Sequence, residues 1–220
     1  MNNILRLSLI VMAVLLITSC VNTKITNYYG TPRLIENSRI LILPTKGIKD
    51  YWSQNLYEQT KVQFKDTEAR LLYLPEEEYN LIKSGISKDM LDHLTLSDSI
   101  TLSEIGDKLG VRYIIETRLN NFKDGSIYEF YAEKELNQYN ASYNSDDESS
   151  EADMIFNVYA IGSKSIEAKF LVHTSINSLI IKEDEGAESH VNVTNKMTAL
   201  YDVYKKAFKM IKKNMVSAKS

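Results

Sequence analysis

Apolar positions along the chain fall into runs of different period, and each run predicts an element. Leu7–Ile17 is apolar at every position except Ser8. At about 1.5 Å per helical residue it is too short to cross a hydrocarbon core about 30 Å thick. Its length, with Arg6 and the amino terminus as a positive region before it, is that of a signal-peptide core. Ile40–Leu43 is continuously aliphatic and closed by Pro44, which predicts a central strand covered on both faces. Trp52, Leu56, Thr60 and Phe64 then recur every four residues, a helical face with Asp50 as N-cap. Ala69–Leu74 predicts a second strand. Pro75 followed by Glu76, Glu77 and Glu78 opens a helix ending near Gly85, because proline suits the first turn and acids suit its positive end. A short helical piece, Lys88–Leu94, precedes a clearer helix, Leu102–Leu109, in which Leu102, Ile105 and Leu109 share a face and Gly110 takes the C-cap position.

Val111–Leu119 alternates, with Val111, Tyr113, Ile115, Thr117 and Leu119 on one side and Arg112, Ile114, Glu116 and Arg118 on the other. Beyond Asp124-Gly125, Ser126–Ala132 predicts a strand, whereas Glu133–Asp153 is polar and carries acids at 146, 147, 148, 151 and 153. Such a stretch buries too little apolar surface to offset its ordering entropy, so it reads as a flexible acidic insertion. Met154–Ile161 and Ile166–Thr174 form an expected hairpin turning at Gly162-Ser163-Lys164, with Ile166, Ala168, Phe170, Val172 and Thr174 inward. Leu179–Lys182 adds a short strand before the acidic turn Glu183–Gly186. A closing helix, Thr194–Met215, has Leu200, Tyr204, Ala207 or Phe208, and Ile211 as its apolar stripe. The chain has no internal repeat. The predicted fold class is α/β (α+β): a mixed central sheet of about five to six strands flanked by helices, with a C-terminal helix.

Composition adds exclusions. With 44% hydrophobic and 10% aromatic residues, eight glycines and three prolines, the chain is neither disordered as a whole nor collagen-like. A formal charge of −3 lacks the basic excess of a nucleic-acid binder. The single cysteine, Cys20, excludes an intramolecular disulfide and a cysteine-based zinc site. It closes the segment Ile17-Thr18-Ser19-Cys20, which resembles a bacterial lipobox. That resemblance implies cleavage before Cys20, a diacylglyceryl thioether on its sulfur and a third acyl chain on its amine. Several chains anchor where one does not, at about 0.8 kcal/mol per buried methylene. Val21 stands where an inner-membrane retention signal carries Asp, so the expected location is the outer membrane, with the periplasmic side ahead of the surface and the leaflet open. Removing residues 1–19 takes away one base, Arg6, and no acid, leaving 25 basic and 29 acidic residues, or −4. Residues 20–38 read as a lipidated tether, partly disordered from Val21 to Asn37. The folded domain is expected over 39–215, with the acidic insertion at about 133–153.

Catalytic signals are few. His93 sits beside Asp92 in a helical piece, His173 lies opposite Phe170 and Val172 and so faces outward or pairs across the sheet, and His190 falls in an acidic loop. No HExxH, His-x-x-x-Asp ladder or GxSxG occurs. Thr45-Lys46-Gly47 follows the first strand where α/β folds hold anions, although one glycine suffices for a plain strand-to-helix turn. Glu76–Glu78 are explained as helix N-terminal acids, and Asp146–Asp153 lacks the spacing and glycine of a calcium loop. No metal or cofactor is expected apart from lipid on Cys20. The most directional surface charge is Lys205, Lys206, Lys209, Lys212 and Lys213 near the end of the last helix. The helix dipole favours cations there, and contact with anionic headgroups or an acidic partner is the functional alternative.

The order ILILP, helix, ARLLYLP, helices, SEIGDKLGVRYIIETRL resembles the periplasmic α/β domain of the curli secretion lipoprotein, the penicillin-binding-protein activator lipoprotein and the TolB N-terminal domain. Ile105–Leu119 carries the most specific part, a helix, a glycine turn and an aliphatic strand. Glu167–Glu183 follows the hairpin pattern, with Asn177 and Ser178 at a turn where Asp and Gly are usual. The likeness spans about residues 39–215. It implies a non-catalytic, lipid-anchored envelope protein that binds a protein partner and can oligomerise. The alternative is a subunit of a curli-type secretion oligomer, which needs lipid-facing strands of about nine to eleven alternating residues.

Overall fold

The computed structural model describes residues 21–64, 69–125, 127–131, 149–182, 188–192 and 196–217. In chain order the elements are β1 (Val21–Tyr29), β2 (Ser38–Ile42), α1 (Asp50–Lys61), β3 (Ala69–Tyr73), α2 (Leu74–Lys83), α3 (Lys88–Asp92), α4 (Ser99–Leu109), β4 (Tyr113–Lys123), β5 (Ile127–Tyr131), β6 (Ser150–Ala160), β7 (Ser165–Ile176), β8 (Leu179–Lys182), β9 (Glu188–Asn192) and α5 (Lys196–Lys213). The described residues divide into a larger unit within 24–121, 153–173 and 201–217 and a smaller one within 21–23, 122–152 and 174–200.

The larger unit is built on a mixed six-stranded sheet in the order β1-β7-β6-β4-β2-β3. β2 runs parallel to β3, pairing Ile40 with Leu71, and parallel to β4, pairing Ile40 with Tyr113. Parallel neighbours require a crossover, and α1 supplies it between β2 and β3. Period-two alternation then sorts the apolar side chains between two faces. Leu41, Leu43, Leu72, Ile114 and Tyr159 join Leu74, Leu81, Leu91, Leu94, Leu102 and Ile105 in one buried cluster beneath α2, α3 and α4. The Tyr159 hydroxyl finds no hydrogen-bond partner there among the described residues.

The other face is aromatic. Phe156 stacks on Phe170 at 5.2 Å and meets Tyr204 and Phe208 of α5 edge-on at 5.5 and 6.3 Å. Phe64 meets Phe208 at 6.1 Å, and Tyr57 of α1 stacks on Tyr73 of β3 at 4.7 Å. Helix ends follow local chemistry. Asp98 accepts from the Thr101 amide and hydroxyl, Ser87 accepts from the Met90 amide, and Gly110 closes α4 in the left-handed region at φ 63°. At α1 the N-cap is Lys49, with Asp50 as the first helical residue. The buried face is Ser53, Leu56, Tyr57 and Thr60, while Trp52 is only half-buried.

Three expectations change. Where a tether was expected, Val21–Tyr29 is β1, an edge strand, and Leu34 is fully buried. Glu36 N–H donates to the Val216 carbonyl at 2.9 Å and Val216 N–H donates to the Leu34 carbonyl at 2.9 Å, so this stretch belongs to the fold. The expected insertion overlaps β6, whose first residues are Ser150–Asp153, and 132–148 lie outside the described residues. His190 belongs to β9, which pairs antiparallel with β5 and β8 in a separate three-stranded sheet of the smaller unit. In that unit the Asn192 amide donates to Ser150 Oγ at 3.4 Å and to the Ile176 carbonyl at 3.3 Å.

Candidate functional site

α5 buries Leu200, Val203, Tyr204, Ala207, Phe208 and Ile211 and turns its lysines away. Lys205, Lys206, Lys209 and Lys213 are exposed and close no ion pair among the described residues. Lys212 differs from the other four. It donates to the Gln63 carbonyl at 3.0 Å and lies 5.8 Å over the Phe64 ring, a structural use of its charge. On the same helix, burial lifts the Asp202 carboxyl above its ordinary value, and Lys205 partly offsets that. Cys20 lies outside the described residues, and β1 begins at the residue after it.

Thr45-Lys46-Gly47 continues the parallel pairing of β2 with β4 and leaves no free cradle. Lys46 N–H donates to the Thr117 carbonyl and Leu119 N–H to that of Lys46, at 2.9 and 2.8 Å. The Thr45 amide donates to Ser53 Oγ at 2.8 Å, and the Thr45 hydroxyl shares its hydrogen bonds with those of Thr117, at 2.7 Å, and Tyr204, at 2.5 Å. Tyr73 donates to Ser53 Oγ at 2.9 Å and extends the network. The Thr45 and Lys46 amides are therefore engaged within the fold.

Burial raises the Tyr204 phenol to about 12, and also raises Tyr57, Tyr73, Tyr113 and Tyr159 above 10.0. A phenol is neutral when protonated, so a raised folded value favours the folded state below the unfolded value and loses that contribution as pH rises past it. Unfolding midpoints in denaturant should hold steady up to about pH 9 and fall steeply between about pH 10 and 12. A flat profile across that window would contradict the burial of these rings.

The histidines separate by environment. His93 is exposed and pairs with Asp89 at 3.5 Å, and His173 of β7 pairs with Asp153 of β6 at 2.5 Å, the cross-sheet arrangement. Lys46 pairs with Glu116 at 2.5 Å, and the Asn157 amide donates to the same carboxylate at 3.0 Å. Among the described residues no group of three or more His, Cys, Asp or Glu side chains is placed to hold a metal. No described helix is long and apolar enough to cross a membrane.

Two concave surfaces lie in the larger unit. One, about 330 Å³, sits past the carboxyl ends of β2 and β3 among Leu43, Pro44, Lys46, Asp50, Leu74 and Glu78. The other, about 590 Å³, follows β3 along Ala69–Leu72 and is walled by Tyr57, Lys61 and Phe64 on one side and by Glu76 and Glu77 on the other. The Tyr57 hydroxyl lies between these walls, 3.3 Å from the Leu71 carbonyl and 3.4 Å from Glu76 Oε2. Neither surface was expected from the chain, because the second depends on β3 ending the sheet order. The ARLLY pattern reads the same at an edge as in the interior.

The sequence matches no protein-family model and no curated protein sequence. Among solved structures, it is similar to a PelC dodecamer from Paraburkholderia phytofirmans at TM-score 0.43 and 5% identity, covering 87% of this chain and 98% of that one. The LpoB C-terminal domain from Escherichia coli gives 0.40 and 8%, covering 64% and 84%. Lipoprotein GNA1162 from Neisseria meningitidis gives 0.38 and 9%, covering 77% and 94%. At such identities and TM-scores no activity or partner passes from these proteins to this chain.

Proposed function

We propose that this chain is a non-catalytic lipoprotein of the bacterial envelope that holds an α+β domain at a membrane surface for a protein partner. The observation that carries the reading is the ordered series Arg6, Leu7–Ile17, Thr18-Ser19, Cys20, with the one cysteine of the chain at its end. Acyl chains on Cys20 supply the membrane affinity. β1 starts at Val21, so acyl chains on Cys20 would confine the domain to the surface rather than let it search on a long tether, which raises its local concentration. The resemblance of residues 39–215 to envelope lipoprotein domains supports a partner in envelope assembly or peptidoglycan synthesis. The curli-type alternative is less favoured: the strands of nine or more residues, β1, β4, β6 and β7, belong to the six-stranded sheet, and the strands of the second sheet, β5, β8 and β9, have only four or five residues against the roughly nine to eleven a membrane-spanning strand needs.

Metabolic labelling with a palmitate analogue tests the anchor. The wild-type chain should take up label, and Cys20→Ser should lose all of it while an unrelated lipoprotein in the same cells stays labelled. Label persisting on Cys20→Ser would overturn the reading.

A further inference from the structure

We propose that the open edge of β3 is where a partner protein docks, laying an extended segment along the groove with its acidic end beside Lys61 and Arg70 and its basic end beside Glu76 and Glu77. The site rests on the partner-binding role above and specifies it. β3 is the last strand in the sheet order, so no described strand pairs with its outer side. An edge strand offers main-chain donors and acceptors to an added strand, the mode in which backbone bonds give affinity and side-chain pockets give specificity; at Leu71 the added N–H would replace the Tyr57 hydroxyl, from which that carbonyl accepts at 3.3 Å. The groove of about 590 Å³ is lined by β3 from Ala69 to Leu72 together with Tyr57 and Phe64 of α1 and the residues after it. Its size falls in the range of formed binding pockets.

Charge sets the partner's chemistry. Lys61 ends α1 and Arg70 opens β3, so both cations come from chain at the amino end of the strand. Glu76 and Glu77 lie in the first turn of α2, just past its carboxyl end. None of the four closes an ion pair among the described residues; Lys61 lies 5.3 Å over the Tyr57 ring and Glu77 accepts from the Asn80 amide. A segment apolar in the middle and oppositely charged at its ends complements both poles, whereas a uniformly acidic or basic one meets repulsion at one of them.

The full chain in mild detergent is titrated with a fluorescent octapeptide of two glutamates, four alternating valines and threonines and two lysines, and with the same peptide carrying lysines at both ends. The first probe should bind and protect the Ala69–Tyr73 amides from hydrogen exchange. Reversing Lys61→Glu with Arg70→Glu should weaken it about tenfold and make the second probe the tighter one, the scale of two exposed ion pairs turned to repulsion. Glu76→Lys with Glu77→Lys should likewise favour a probe with glutamates at both ends. Reversed preference is a result that misfolding cannot give. Absence of binding at about 1 mM, binding without protection of β3, or affinities blind to both reversals overturns the proposal. None of these readouts involves the lipid, so their failure leaves the anchor standing, and a failed labelling experiment leaves this groove untouched.

Discussion

Phe156→Ala should lower the stability of the domain by about 3–5 kcal/mol, a large part of the 5–15 kcal/mol typical of a folded protein. The ring is fully buried and lies nearly parallel to Phe170, at 5°, while Tyr204 and Phe208 close over it from α5. Truncation removes contacts to two strands and the last helix together, and surrounding rings of fixed shape refill little of the space. For a chain of this size, each kcal/mol corresponds to about 2–4 °C, so the melting temperature should drop by roughly 6–20 °C. Equilibrium unfolding in denaturant measures it. A loss below about 1 kcal/mol would mean that Phe156 is not the hub of this face.

Gly30→Ala should have the second largest effect, through backbone rather than core. Gly30 follows β1 with φ at +59°, and a Cβ placed on it would stand 2.0 Å from the Glu167 carbonyl oxygen of β7. The left-handed conformation alone costs a side chain about 1–2 kcal/mol, and the overlap with main chain has no flexible neighbour to relieve it. β1 should leave the edge of β7, which limited proteolysis and hydrogen exchange of Lys24–Tyr29 would detect. Gly85→Ala is the matched control. That glycine also has positive φ, at +105°, yet its Cβ would meet nothing within 4 Å, so it should show the conformational cost without the detachment. Equal behaviour of the two variants would contradict the close approach at Gly30.

The contrast between these two sites shows what the sequence could carry. Alternation and capping are local, so β2, β3, the α4–Gly110–β4 passage, the β6–β7 hairpin and the apolar stripe of α5 were legible. β1 was not, because an edge strand exposed on both faces loses the apolar alternation that marks a strand. Val21–Tyr29 is polar for that reason and passed for a tether. β9 was hidden by the acids before it, although Glu188–Asn192 pairs with β8, just before it, and with β5, far away in sequence. Lys205, Lys206, Lys209 and Lys213 are exposed on α5, whereas the role of Lys212 depends on Gln63 and Phe64, which no spacing along α5 reveals. The β3 groove is legible only once sheet order is known. Cys20 is the reverse case, a proposal that rests on the chain alone and lies outside the described residues.

The central claim is the lipid on Cys20, and the intact mass of the chain purified from membranes tests it most directly. The expected result is a chain that begins at Cys20, lacks residues 1–19 and carries the added mass of a diacylglyceryl group with or without a further acyl chain. A chain that retains residues 1–19, or begins elsewhere with an unmodified thiol, would contradict it.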